Sequence, residues 1–93
     1  MNPKEKISPE AMRIVTDEYR WAVQKHPNFV CDITVFYADA VSVIAEELGE
    51  LAKEINSDAT ENPGWRTNAI VEAAHVAVTA IRTIEMLLVD GVK

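Results

Sequence analysis

Two pairs of polar residues at helical spacing are the part of this sequence best suited to chemistry. Glu47 and Glu50 are three residues apart, and so are Glu72 and His75. Residues at this spacing project from the same side of an α-helix. Three carboxylates and an imidazole that converge can bind a divalent cation, which offsets the repulsion among the carboxylates. The sequence therefore predicts a metal site built from two helices.

Apolar surroundings distinguish both pairs from ordinary surface glutamates. Glu47 lies at the spacing of an apolar stripe, three residues after Ile44 and four before Leu51. The second segment is apolar except for one polar seam, formed by Glu72, His75, Thr79 and Arg82. Buried charges are unfavourable without partners, so this seam must face other polar groups. The Glu47 and Glu50 pair alone also fits a solvated helix face. The Glu72 and His75 pair alone also fits a buried histidine that is hydrogen-bonded to a glutamate.

Three helices are needed to position these residues, and the expected fold class is all-α. Ser8 is a suitable N-cap, and Pro9 suits the first helical position. Pro27 stops the first helix, and Gly91 is the expected stop after the third. In chain order, the predicted segments are a frayed start over 1–7, helices over about 9–26, 32–55 and 66–90, and a loop over 56–64.

Composition narrows the class of protein to a single helical domain without nucleic-acid or membrane features. Hydrophobic residues make up 48% of the 93 residues and only three are glycine, which suits packed helices. A net charge of −6 disfavours binding to the phosphates of a nucleic-acid duplex. Cys31 is the only cysteine, so neither an intrachain disulfide nor a thiolate cluster is possible. No apolar run is long enough to span a membrane, and we expect a cytoplasmic location.

The third helix is too apolar to be covered by one neighbour. Residues 69–81 are apolar on nearly all sides, apart from the seam. Such a helix must be buried on more than one face. We therefore expect a homodimer, or a dimer of dimers, in which helices two and three of each chain form a four-helix core.

Together the two pairs resemble the hallmark of the all-α NTP pyrophosphatases, the MazG-like superfamily. That family carries Glu-Glu-x-x-Glu on one helix and Glu-x-x-Asp on the next. Here the first half reads Glu46-Glu47-Leu48-Gly49-Glu50, and the second reads Glu72-Ala73-Ala74-His75. The segment His26-Pro27-Asn28-Phe29 is similar to the short turn before the family's motif helix. The resemblance covers about residues 20–90.

The resemblance implies hydrolysis of a nucleoside triphosphate to the monophosphate and pyrophosphate, with a divalent metal, Mg or Mn, as cofactor. The metal-ligand positions match Glu47, Glu50, Glu72 and His75, of which the three glutamates are the expected catalytic carboxylates. Nearby cations would hold the phosphates, and the candidates are Lys53, about one turn after Glu50, and Arg82, about two turns after His75. Trp21 or Trp65 is the candidate for stacking on the base.

His75 departs from the family pattern, which has aspartate there. Mg²⁺ prefers oxygen ligands, whereas imidazole suits Mn, Fe, Co or Zn. Either the metal differs, or His75 is not a ligand, or hydrolysis is weakened or lost and only binding remains. Two other functions fit the same residues. One is a ferritin-like di-iron protein assembled in a dimer, and the other is a non-catalytic helical dimerisation module.

Overall fold

Three α-helices account for most of the structure, a computed structural model that describes residues 5–26 and 36–90, with side chains for 5–26 and 40–88. They are α1 at Pro9–Lys25, α2 at Phe36–Ile55 and α3 at Trp65–Asp90. No strand occurs in these ranges, which confirms the all-α expectation for them. The predicted start of the second helix near residue 32, the turn before it and the stop at Gly91 lie outside the described residues.

The ends of α1 follow from its sequence. The hydroxyl Oγ of Ser8 accepts a hydrogen bond from the backbone N–H of Ala11 at 3.1 Å, as an N-cap should. Pro9 begins the helix, where its missing N–H has no consequence. At the other end, the N–H of His26 donates to the carbonyl of Ala22 at 2.8 Å. The predicted first helix is confirmed to within one residue.

A hydrogen-bonded loop joins α2 to α3 and fixes the hairpin that they form. The side-chain amide of Asn62 donates to Glu54 Oε2 at 2.8 Å and to Ser57 Oγ at 3.1 Å. The Asn68 amide lies 3.5 Å from the same Glu54 oxygen. In the middle of the loop, Asp58 Oδ1 accepts from the N–H and the hydroxyl of Thr60. These bonds connect the last turn of α2 to the first turn of α3.

The central element of the fold is α3. It packs against both α1 and α2, whereas the backbones of α1 and α2 do not come into contact within the described residues. A groove therefore runs between α1 and α2, with α3 as its floor. Among the residues whose side chains are described, the buried hydrophobic ones are mostly small, and they are Ala40, Ala69, Ala74, Val78 and Met86.

Apolar faces of α2 and α3 stay uncovered in the single chain. Val41, Leu48 and Ile55 of α2 are more than half exposed, and so are Ile84 and Leu88 of α3. Burial of α3 on more than one side is thus confirmed by its contacts with α1 and α2, but part of its apolar surface remains open. Within residues 5–26 and 36–90, no helix combines the length and the apolar character that a membrane span requires.

Among the side chains described at 5–26 and 40–88, Met86 is the largest that is fully buried, with 1% of its surface exposed. We expect Met86→Ala to lower the free energy of unfolding by about 2–3 kcal/mol, because the substitution removes buried apolar contacts and leaves a cavity. Met12 on α1 is 48% exposed and serves as the matched control. Met12→Ala is expected to change stability by less than about 0.5 kcal/mol. Urea unfolding at one protein concentration measures both, and equal losses would contradict the described core.

Candidate metal centre

His75 stands at the meeting point of the three helices. Its Nε2 lies 3.1 Å from Oε2 of Glu18 on α1. Its Nδ1 lies 3.4 Å from Oε2 of Glu47 on α2 and 3.4 Å from Oε2 of Glu72, one turn earlier on α3. One imidazole ring thus contacts carboxylates from every helix that the structure describes.

Two of these carboxylate oxygens are buried and lack a hydrogen-bond partner. They are Oε2 of Glu47 and Oε2 of Glu72, the atoms that face His75 Nδ1. The side chains of the cluster are between 22% and 29% exposed. A buried carboxylate oxygen without a hydrogen bond is unfavourable, because it has lost water, and a ring nitrogen 3.4 Å away replaces that water only in part. The position between these two oxygens and the imidazole therefore favours a cation.

The donor atoms of Glu47, Glu72 and His75 are arranged so that they could hold a metal ion. One ligand atom from each lies within 4.8 Å of the other two. Ligands bound at about 2.1 Å around one metal are separated by roughly 3.0–3.4 Å at right-angle or tetrahedral geometry, which matches the two 3.4 Å separations. Two carboxylate oxygens and one imidazole nitrogen form a mixed donor set that Mn²⁺, Co²⁺ or Zn²⁺ accepts.

Negative charge is concentrated at Glu47. Burial raises the pKa of its carboxyl above the ordinary value, and the neighbouring charge of Glu50 raises it further, while His75 opposes both effects. A raised pKa means that the ionised form is disfavoured in the folded chain. A bound cation would reverse this preference.

The cluster opens into a cleft of about 270 Å³ between α1 and α2. Side chains from all three helices line it, and the ones relevant to chemistry are Glu18, Trp21, Glu47, Glu50, His75 and Arg82. Trp21 is 51% exposed, and the ammonium of Lys25 lies 5.0 Å from the centre of its ring. The cleft therefore combines a carboxylate floor with an aromatic wall.

The four predicted ligands do not all meet. Glu47, Glu72 and His75 converge, whereas Glu50 is exposed on the wall of the same cleft and lies outside the metal-binding group. A separation of three residues turns a helix by about 300°, so Glu50 points some 60° away from Glu47. Its assignment as a ligand stays a prediction.

Of the residues predicted to contact the phosphates or the base, two line the cleft and two do not. Lys53 is exposed and does not line the cleft, and Trp65 at the start of α3 does not line it either. The guanidinium of Arg66 instead lies over the Trp65 ring, 4.8 Å from the ring centre. Trp21 and Arg82 do line the cleft.

Arg82 connects α3 to the end of α1. It is 4% exposed, and its Nη1 donates to the carbonyl of Ala22 at 3.1 Å while its Nη2 donates to the carbonyl of His26. The Ala22 carbonyl also accepts from the N–H of His26, so Arg82 uses its second lone pair, and a cation at a helix C-terminus is favourable. Burial lowers the pKa of the guanidinium, but arginine remains protonated in proteins. This role for the seam residue was not anticipated from the sequence.

Glu18 is the site residue that sequence reasoning missed. It lies on the apolar stripe of α1, three residues after Val15 and four before Ala22, and it is only partly exposed. The same criterion singled out Glu47 on α2, since both are carboxylates at the spacing of apolar residues. Applied to α1, it would have identified Glu18.

Comparisons with known proteins add no relative to this picture. No protein-family model, no curated protein and no solved structure matches the chain. The similarity to the all-α NTP pyrophosphatases therefore rests on the motif residues, and function must be argued from the geometry of the cleft.

The raised pKa of Glu47 predicts how stability depends on pH. Because the folded chain binds the proton more tightly than the unfolded chain, stability falls as pH rises from below the ordinary carboxyl pKa through the raised one. Without metal, Glu47→Gln is therefore expected to raise Tm by a few degrees near pH 7, and by less at about pH 4.

Thermal unfolding in a chelator measures this difference. Glu61→Gln is the control, since it removes the same charge from an exposed loop position. A Glu47→Gln protein that melts below the wild type near pH 7 would show that the carboxylate is already satisfied without metal.

Proposed function

We propose that this protein is a metal-dependent hydrolase of nucleoside triphosphates that releases the monophosphate and pyrophosphate, and that it works as a homodimer. The observation that carries the proposal is the convergence of Glu47, Glu72 and His75, with two buried oxygens that lack a hydrogen-bond partner, beside a cleft that Glu47 and His75 line. The motif resemblance to the all-α NTP pyrophosphatases supports the choice of reaction.

The cofactor in this proposal is one divalent cation, Mg or Mn. Glu47, Glu72 and His75 would hold it. Bound there, it would polarise phosphate oxygens and lower the pKa of a water molecule that it ligates. A net negative cleft needs such an ion before it can accept the phosphates of a nucleotide.

Glu50 suits the part of a proton acceptor. It lines the cleft but stands apart from the three converging residues, so one carboxylate remains to take a proton from the attacking water. Attack on the α-phosphorus breaks its bond to the bridging oxygen, and pyrophosphate leaves. Because Glu50 is exposed, the proton can pass on to solvent.

The walls of the cleft provide what a nucleotide needs beyond the metal. Trp21 offers an aromatic face for the base, and Arg82 contributes positive charge close to the carboxylates. Arg82 already donates to two carbonyls, so it would raise the local electrostatic potential rather than bind a phosphate through both Nη atoms. A cleft of about 270 Å³ is small for a whole nucleotide, which suggests that phosphates and metal occupy it while the base extends over its rim.

The di-iron alternative is less consistent with this arrangement. It requires the Glu-x-x-His pair of each copy to face a shared interior between the copies. Here Glu72 and His75 face Glu47 and Glu18 of their own chain. The cleft therefore belongs to one chain.

A nucleotide panel tests the reaction. With Mg²⁺ or Mn²⁺ present, we expect release of pyrophosphate from at least one dNTP, and we expect Glu72→Gln to lower the rate by about 100-fold or more because a metal-binding oxygen is lost. Glu61→Gln, which removes one exposed charge, should leave the rate unchanged.

The alternatives predict other results in the same set of measurements. No turnover with any metal would remove the hydrolase from consideration. Iron loading with ferroxidase activity would identify the di-iron protein. A melting temperature and a nucleotide affinity that are both indifferent to chelation would favour the dimerisation module.

The uncovered apolar faces support the homodimer. Val41, Leu48 and Ile55 follow one another at intervals of seven residues on α2, and each is more than half exposed. Ile84 and Leu88 form a similar surface on α3, at 54% and 71% exposure. A second copy of the α2–α3 hairpin offers the same surfaces, and a four-helix bundle would bury both.

Sedimentation tests the dimer. The wild-type protein should sediment with twice the 10.3 kDa mass of the chain, whereas Leu48→Lys should sediment as a monomer because a charge enters the apolar stripe. Ile7→Lys is the matched control, since Ile7 is 66% exposed but precedes α1 and belongs to neither stripe. A monomeric wild-type protein at micromolar concentration would overturn the homodimer.

A further inference from the structure

We propose that Glu18 is a positioning residue that keeps the His75 proton on Nε2, so that Nδ1 is the nitrogen presented to a metal. This inference rests on the metal site of the proposed function, but not on hydrolysis. It assigns a role to the one carboxylate of the cluster that is outside the converging metal group and belongs to α1.

The two ring nitrogens of His75 meet different environments. Nε2 faces a single carboxylate oxygen at 3.1 Å, that of Glu18. An ionised carboxylate only accepts hydrogen bonds, so the nitrogen that faces it at this distance carries a proton. An imidazole that ligates a metal is neutral and has one N–H, so with the proton on Nε2 its lone pair is on Nδ1.

That lone pair points towards the two unpartnered oxygens. Nδ1 lies 3.4 Å from Glu47 Oε2 and 3.4 Å from Glu72 Oε2, and both separations are longer than an ordinary N–H···O hydrogen bond. Three electron-rich atoms that face one another repel unless a cation lies between them. The opposite tautomer would put a lone pair against Glu18 and still leave one of the two oxygens unpartnered.

The position of Glu18 is itself fixed by the packing of α1. One turn further along α1, the carbonyl of Ala22 accepts a hydrogen bond from Arg82 at 3.1 Å. Arg82 and His75 both project from α3, seven residues apart. The His75 ring on α3 and the Glu18 carboxylate on α1 therefore belong to the same pair of helices that Arg82 joins. A carboxylate on the far side of a ligating imidazole fixes ring orientation and increases the basicity of the ligating nitrogen.

Metal preference follows from this arrangement. A basic imidazole nitrogen strengthens binding of Mn²⁺, Co²⁺ or Zn²⁺ and adds little for Mg²⁺, which favours oxygen. The cleft should therefore bind Co²⁺ or Mn²⁺ more tightly than Mg²⁺.

Two variants of Glu18 change the reach and the charge of its side chain one at a time. Glu18→Asp keeps the charge but shortens the reach, and Glu18→Gln keeps the length but removes the charge. We expect each to weaken Co²⁺ binding by about 10- to 100-fold, with a much smaller change for Mg²⁺. Asp17→Asn is the control for charge, since Asp17 immediately precedes Glu18 on α1, is exposed and pairs with Arg13. It should change neither affinity. Co²⁺ absorption and competition by Mg²⁺ measure both constants.

Nitrogen NMR of the histidine rings in the Zn²⁺-loaded protein reads the tautomer directly. His26 and His75 are the only histidines, so His26 serves as an internal reference. We expect His75 to carry a proton on Nε2 and a metal on Nδ1. A metal on Nε2, or a ring protonated at both nitrogens, would overturn the inference. Equal losses of Co²⁺ and Mg²⁺ affinity in the Glu18 variants would also overturn it, since charge alone would then explain them.

Failure of the inference is distinguishable from failure of the proposed function. If the wild-type chain binds no divalent metal, the metal site falls and the role of Glu18 with it. If the wild type binds metal and hydrolyses nucleotides while the Glu18 variants keep full Co²⁺ affinity, only the role of Glu18 falls.

Discussion

Three carboxylates crowd around one imidazole where the helices meet, and this crowding constrains how they can pack. Glu72 and His75 are fixed to α3, so α2 must bring Glu47 and α1 must bring Glu18 to the same point. Buried charge of one sign is unfavourable unless it is compensated. The cluster is therefore a weak point of the metal-free fold and, in the proposed function, the reason that it binds an ion.

The central position of α3 makes this meeting point possible. With α1 and α2 on separate sides of it, the groove above α3 receives polar side chains from both neighbours without closing. Arg82 holds the far end of α1 in place through its backbone carbonyls. The apolar residues that remain open, such as Leu48 and Leu88, lie outside the cleft lining, so the proposed dimer and the proposed active site use different surfaces.

Local signals in the sequence were enough for the helices and for part of the site. Ser8 and Pro9 set the start of α1, and the position of Glu47 on an apolar stripe indicated that it turns inward. The direction of the Glu50 side chain could not be predicted from the sequence, because two residues one turn apart share a helix face only approximately. The contacts of Glu18 and Arg82 depend on where α1 docks along α3, some sixty residues away in sequence, and no local pattern encodes that docking.

The described part of α3 has little surface that is free of other duties. Ala74 and Met86 of α3 are buried in the core, His75 lines the cleft, and Leu88 lies on the exposed apolar face. The outer faces of α1 and α2, by contrast, carry exposed charged residues such as Arg20 and Lys53 that can change without disturbing a neighbour. Sequence drift over generations should therefore be slow in α3 and fast on those outer faces. Distant descendants of this chain would be recognised by the third helix long after the first had become dissimilar.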